Sequence, residues 1–285
     1  MSSKSEILKA IFNTSYTGNR VINGKADSGV TFDHIYQNKP KGNSLIGKFV
    51  DRVVLNFPSL RATRDRWKYI CDEITRITIS EIDEKGPLRI VDLASGVSRY
   101  LIDFSRAWTR NRVECLCLDR DIESLSLGRR ISAEDSFRYI RANILDASRL
   151  LRFGTRKSWK PHIVIVTGLV EYLSDQSLAA LLRDLRGVLG IDGYLIFSSQ
   201  ICNPSRKLME TICTTSQGTS WKLVYRSPEE VTAVLTKVGF KAEKIHVDKI
   251  GMYSIISAKA VFGTAPRRES DERQPDISSM AASGL

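Results

Sequence analysis

The sequence predicts an α/β fold: a seven-stranded sheet with helices on both faces, preceded by an N-terminal helical cap. Three observations predict it. Between Pro87 and Lys259, short apolar runs alternate with segments of helical spacing. The last two strand-like runs, 242–247 and 253–260, are joined only by a turn near Lys249-Ile250-Gly251, so they should pair antiparallel at the end of the sheet. Residues 1–86 differ, with helical spacing and no strand pattern. The expected organisation is therefore a helical cap over 1–86, an α/β core over 87–263, and a tail over 264–285 with the composition of a disordered segment.

The elements follow in order. Residues 88–93 form a short apolar run suited to a buried parallel strand. Ser98 can cap a helix running through Tyr100, Leu101 and Phe104 to Trp108. Residues 113–118 read as the second strand, and Asp121 can cap a helix carrying Ile122 and Leu125. Residues 137–141 are the third strand and 162–166 the clearest of all. The helix over 175–189 places Leu178, Leu181, Leu182, Leu185 and Val188 on one side, and Gly190 and Gly193 end it. Residues 194–197 make the fifth strand. Ser227-Pro228-Glu229-Glu230 starts a helix that stops at Gly239. In the cap, 6–12, 45–56 and 67–79 have helical spacing, while the stretch from Gly18 to Gly42 reads as polar and turn-rich.

Composition bounds the function. With 285 residues, 42% hydrophobic, the chain can bury a core without disulfide or metal staples. No apolar run reaches about 18 residues, so no transmembrane helix is expected, and Met1-Ser2-Ser3-Lys4-Ser5-Glu6 lacks the apolar stretch of a signal peptide. A cytoplasmic location without a membrane partner is the expectation. The five cysteines contain no CxxC pair and the three histidines are scattered, which gives no metal site. Cys115 and Cys117 should share one buried face of the second strand. The net charge of +11 raises nucleic acid as a partner. The cations are spread, however, with Arg61, Arg64, Arg66 and Lys68 as the densest group, and no aromatic stripe accompanies them. They read as solvated surface, and nucleic acid is not favoured. A homodimer is left open.

Ligands of open α/β sheets bind beyond the carboxyl ends of the strands. The first strand runs into Asp92, then the small residues Ala94, Ser95, Gly96 and Ser98, then a helix whose N-terminus can face an anionic group. A dinucleotide GxGxxG pattern would fall on Ala94, Gly96 and Arg99, and arginine at the third position opposes close helix–strand packing. A ligand without a pyrophosphate, such as S-adenosylmethionine (SAM), needs fewer glycines. Asp119, about 20 residues on, sits where a carboxylate accepts from ribose hydroxyls, although strand-end carboxylates also cap helices. Asn143 can meet an adenine edge or serve as a turn residue, and Arg120 and Ile144 can cover the ring. Gly168 lies at the end of the fourth strand, with Glu171 and Tyr172 beyond it. Glu171 can contact substrate, orient a loop residue, or tie to backbone N–H groups. Ser199 and Gln200 end the fifth strand as substrate contacts or caps, and Tyr36 folds over from the cap as a substrate contact or a packing residue.

Several motifs carry a family resemblance, from about Tyr36 to Ala260. They are Tyr36-Gln37-Asn38-Lys39-Pro40-Lys41-Gly42, Gly47-Lys48-Phe49-Val50-Asp51-Arg52, Asp92-Leu93-Ala94-Ser95-Gly96 with Arg99-Tyr100, and Gly168-Leu169 with Glu171. Asp192-Gly193-Tyr194-Leu195-Ile196, Gln200 with Asn203-Pro204, and Trp221 with Tyr225-Arg226-Ser227 continue the pattern. Together they resemble class I SAM-dependent methyltransferases, and within these the family often found in bacteria fused behind an α/β-hydrolase domain; this chain resembles a stand-alone version. The resemblance implies a Rossmann-like seven-stranded class I methyltransferase sheet and SAM as cofactor. The cofactor set is then Asp92, Ala94, Gly96, Arg99, Tyr100, Asp119, Arg120, Asn143, Ile144 and Gly168, with Tyr36, Glu171, Tyr172 and Gln200 on the acceptor side. The implied reaction is methyl transfer to an N or O atom of a small metabolite. RNA or protein acceptors, or a non-catalytic scaffold, are the alternatives. The Asn/Asp-Pro-Pro-aromatic signature of many base amino-methyltransferases is missing. Ser98 stands where the loop's last glycine is usual, Asn143 where aspartate is common, and Val170 where this family tends to have tyrosine. These departures bear on cofactor affinity and acceptor choice.

Overall fold

The first strand, β1 (Leu88–Leu93), alternates its side chains across the sheet, and both faces are buried. Leu88 and Ile90 join one apolar layer, and Val91 and Leu93 the other. Around it lie β2 (Val113–Asp119), β3 (Phe137–Arg141), β4 (Ile163–Val166) and β5 (Tyr194–Gln200), then β6 (Phe240–Val247) and β7 (Tyr253–Ala260). The computed structural model describes residues 3–82, 86–110, 112–132, 136–143, 159–189, 192–218 and 220–261. The expected tail, Ile144 and Gly190 lie outside the described residues.

The strand order is β3-β2-β1-β4-β5-β7-β6. The first five strands are parallel, with Leu88 opposite Val113 and Ile90 opposite Ile163. β7 inserts antiparallel beside β5, and β6 pairs antiparallel outside it, so the expected terminal hairpin is present. The order reverses between β1 and β4, which opens a crevice at their carboxyl ends. This is the Rossmann-like seven-stranded sheet of class I methyltransferases.

Helices cover both faces. On one side α8 (Asp175–Val188) and α10 (Pro228–Lys237) pack on Val91, Val164, Leu195 and Ile256. The five predicted apolar residues of α8 are all buried, and Ser227 and Glu230 form the reciprocal cap of α10. On the other side α5 (Pro58–Glu81) and α6 (Arg99–Ala107) cover Ile90, Ile165 and Ile196. Cys115 and Cys117 are buried together in that layer. α7 (Ile122–Ser132) begins after Asp121, which accepts from the Glu123 N–H at 3.0 Å, as a cap should.

The cap holds more helix than the sequence pattern indicates. α1 (Ser3–Asn13) and α4 (Leu45–Leu55) match expectation, but the polar stretch 18–42 is not a run of turns. It contains α2 (Tyr16–Ile22) and α3 (Gly29–Gln37), started by the hydroxyls of Ser15 and Ser28. These short helices bury polar groups as well as apolar ones, which erases the amphipathic signal. α5 begins nine residues before the predicted start, with a proline in its first turn. A further helix, α9 (Arg206–Ile212), lies beyond β5. The basic group of 61–68 is not one solvated patch. Arg66 is buried, and Arg64 donates to the Leu55 carbonyl at 2.8 Å. No helix among the described residues is long and apolar enough to cross a membrane.

Candidate active site

Beyond the carboxyl ends of β1–β4 lies a cavity of about 390 Å³, also lined by residues of α3 and α5. The loop after β1 builds its floor. Ala94, Gly96 and Ser98 all have left-handed backbones, with φ of 53°, 53° and 56°. For a side-chain-bearing residue this costs about 1 kcal/mol, and local bonds offset it. The Ser98 hydroxyl donates to Asp92 Oδ2 at 2.8 Å, and the Ser95 N–H donates to the Leu118 carbonyl at 3.1 Å. Ser98 therefore does not cap α6 through its side chain as expected; it is turned inward to Asp92. At Gly96 the loop meets α3 backbone to backbone. A Cβ on Gly29 would come within 2.4 Å of the Gly96 Cα.

Asp92 is wholly buried beneath the loop and does not line the cavity. It accepts from Tyr100 Oη at 2.6 Å as well as from Ser98. Burial pushes its carboxyl up to about 7, with the two hydroxyls opposing and nearby Asp119 adding to the shift. Asp119, at the end of β2, does line the cavity. Its carboxylate accepts from the Gly96 N–H at 2.7 Å and the Asp121 N–H at 2.8 Å. Burial raises its pKa, partly countered by those N–H groups.

Ala94, Gly96, Arg99, Tyr100, Arg120, Asn143 and Gly168 also border the cavity, so most of the expected cofactor set converges. Two of its cations are engaged elsewhere. Arg99 Nε donates to Asp33 Oδ1 at 2.6 Å, and Arg120 Nη2 to Asp27 Oδ2 at 2.8 Å. Both acids belong to the cap. A third tie joins Arg20 to Glu123 at 3.0 Å, and the Ser28 hydroxyl donates to Asp121 at 2.8 Å.

On the acceptor side the expected residues divide. Tyr36 and Tyr172 line the cavity; Glu171 and Gln200 do not. The turn Val170–Tyr172 is fixed by buried Arg226, which donates to the Val170 carbonyl at 2.9 Å and to Asp175 at 2.8 Å. Within it Glu171 is buried, and neither carboxylate oxygen is hydrogen-bonded to another residue among those described. Burial raises its pKa, against the opposing pull of Arg66 and Arg226. Tyr172 Oη accepts from Trp221 Nε1 at 2.6 Å. Ser199 is buried, and Gln200 borders a second, apolar cavity of about 70 Å³ beneath the cap, shared with Phe32, Met209 and Tyr253.

Arg66, Asp27, Asp33 and Phe32 line the main cavity although the sequence pattern did not single them out for it. For Arg66 a signal existed. It continues the buried stripe of Ala62, Ile70, Ile74 and Ile77 along α5 at helical spacing. Among the described residues no group of three or more His, Cys, Asp and Glu could hold a metal ion.

Comparison with known proteins adds to this geometry. The family described as "Putative methyltransferase" matches residues 8–260. The uncharacterized protein YnbC of Escherichia coli K12 is 25% identical over 241 residues, covering 81% of this chain. The chain spans 40% of that curated relative's length. Among solved structures, a "possible exported protein" from Bordetella parapertussis superposes with a TM-score of 0.71 at 17% identity, covering 91% of this chain and 88% of that one. Magnesium protoporphyrin IX methyltransferase from Synechocystis PCC 6803, with bound S-adenosylhomocysteine, gives a TM-score of 0.55 at 12% identity, covering 90% and 100%. These likenesses concern the fold.

Proposed function

The chain belongs to the family described as "Putative methyltransferase"; from that premise we propose that it is a class I SAM-dependent methyltransferase whose cavity binds SAM and directs the methyl group to an N or O atom of a small metabolite. The observation that carries this reading is Asp119 beside the Gly96 loop, both facing one cavity at the strand ends. The residues fit the cofactor. Asp119 has lone pairs beyond its two backbone bonds for ribose hydroxyls. Asn143 offers an amide to an adenine edge, and the N-terminus of α6 suits the amino-acid carboxylate. Arg99 and Arg120 hold the cap through Asp33 and Asp27 and border the cofactor with their stems. SAM, when bound, supplies a methyl group already activated by its sulfonium.

The chain's own residues then position and dehydrate. Tyr36 and Tyr172 flank the acceptor, while Glu171 and Gln200 act from behind the wall. Residues 1–86 serve as a lid over a core spanning 87–263. A lid tied by partly exposed ion pairs over a half-open cavity favours a small acceptor over RNA. The fold likeness to magnesium protoporphyrin IX methyltransferase, whose structures carry SAM and S-adenosylhomocysteine, supports the same reading.

Calorimetry with S-adenosylhomocysteine tests it. The wild type should bind, and Asp119→Ala should bind about tenfold to a hundredfold more weakly, the worth of hydrogen bonds to a charged group. Asp119→Asn, which can still hold the Gly96 N–H, separates ribose contact from loop support. A wild-type chain that ignores the ligand at millimolar concentration would sink the proposal.

A further inference from the structure

Arg66 is a cation set into the wall of the cavity with most of its donors unspent. The residue is 2% exposed and lines the cavity between Tyr36 and Gly168. Its guanidinium lies 4.5 Å from the ring centre of Tyr253 and 5.5 Å from that of Phe32. These rings hold the side chain by its faces and offer nothing to its N–H edge. Of five N–H groups, one bond leaves the guanidinium among the described residues: Nη2 donates to Tyr36 Oη at 3.1 Å. Nε has no partner. Nη1 lies beside Gly168, where an added Cβ would be 3.8 Å away.

Counter-charge is present but not in contact. Glu171 acts on Arg66 through space, and its two oxygens meet no other side chain in a hydrogen bond among the described residues. Burial alone would lower the pKa of Arg66, but a guanidinium does not lose its proton in a protein, and Glu171 and the hydrogen bond to Tyr36 also favour the charged form. A permanently charged, planar fork with unpaired donors is costly to bury. It matches the geometry of a carboxylate, which takes two parallel N–H bonds. The cavity that Arg66 lines is where such a ligand would enter.

We propose that Arg66, with Tyr36 beside it, is an anion site of the cavity that takes a carboxylate-class group by its free guanidinium edge. The proposal rests on the reading of this cavity as the methyl-transfer site, and two molecules there can supply the anion. One is the acceptor, which would then be a small carboxylic acid or similar anion. The other is the amino-acid end of the cofactor. The N-terminus of α6 already offers donors to the cofactor's carboxylate, so the acceptor is the source we favour.

The experiment has two arms, run on the full chain as wild type, Arg66→Lys and Arg66→Met, with thermal unfolding as a control for folding. In the first, benzoate and benzamide are titrated with and without saturating S-adenosylhomocysteine. The wild type should prefer benzoate at least about tenfold, and both variants should lose that preference, Lys because it keeps the charge but not the fork. In the second, S-adenosylhomocysteine is compared with 5′-methylthioadenosine, which lacks the amino-acid end. A preference for the former that disappears in the variants assigns the anion to the cofactor. If neither preference depends on residue 66, the anion site is overturned. Failure of S-adenosylhomocysteine to bind, with the benzoate preference intact, instead removes the cofactor reading and leaves the anion site standing. Arg66→Lys decides both arms should Arg66→Met fail to fold.

Discussion

Asp51 in the cap and Asp92 in the sheet are both wholly buried carboxylates, and they are shifted in opposite directions. Asp51 accepts from the Thr17 N–H at 2.7 Å, the Lys41 N–H at 2.8 Å and His34 Nε2 at 3.0 Å. Burial raises its pKa, but these donors together outweigh burial and hold it below the usual carboxylate range. Asp92 meets only two hydroxyls, and burial prevails, lifting it to about 7. The difference teaches how each region is built. The cap is organised around a charge that ties α2, α3 and α4 together, beside a smaller apolar cluster around Phe12 and Val54. The sheet is organised by its two apolar layers and carries Asp92 as a cost.

Breaking the cap's clasp should have the largest effect. Asp51→Ala leaves two backbone N–H groups and His34 without their partner, a loss of about 3–5 kcal/mol for a broken buried charge network. Denaturant titration followed by intrinsic tryptophan fluorescence should register it. A change under about 1 kcal/mol would mean that the cap does not depend on this charge. The linkage sign is that of a depressed acid. The stability Asp51 contributes is present above its unfolded value of 3.8 and is lost as pH falls through its lower folded value.

That contrast explains what was legible in the sequence. The strands announced themselves because β1, β2, β4 and β5 are buried on both faces and read as continuous apolar runs. Loop, strand-end acid and terminal hairpin followed from their order. α2 and α3 were hidden because Thr17, Ser28, Thr31, Asp33 and His34 are buried polar residues, and composition reads these as turn. Arg66 was hidden by its neighbours in sequence, Arg61, Arg64 and Lys68, which gave it the look of surface charge. Glu171 and Gln200 sit at the predicted edge of the sheet but point behind the wall, a distinction that depends on side-chain direction rather than spacing. Arg99 and Arg120 line the cavity. Their engagement by Asp33 and Asp27 rests on contacts across 66 and 93 residues, beyond any local pattern.

The sheet's carboxylate should respond with the opposite sign. The folded value of Asp92 lies above its unfolded 3.8, so its contribution is complete below pH 3.8 and is lost as pH rises to about 7. Asp92→Asn removes the titration. The stability of wild type minus that of the variant should therefore fall across this window by up to about 1.4 kcal/mol per pH unit, then level off. Chemical denaturation at several pH values measures it. A difference that is flat with pH would mean that Asp92 stays ionised throughout.

The smallest effect should come from the seam between the two regions. Asp33 accepts from Arg99 Nε and from Gln37 Nε2, both at 2.6 Å, and so joins α3 to α6. Asp33→Asn keeps the shape and one acceptor but removes the charge, which should cost about 1 kcal/mol because Arg99 is still partly solvated. Global stability is a poor detector of so small a change, but local opening is a good one. Hydrogen exchange should quicken in residues 29–37 and 94–100 and remain unaltered in β4, β5 and β7, which share no bond with Asp33. Since Gly29 and Gly96 touch backbone to backbone, loosening α3 should also free the floor of the cavity. Exchange that quickens evenly across the sheet would show that cap and sheet open as one unit, and the lid reading would lose its physical basis.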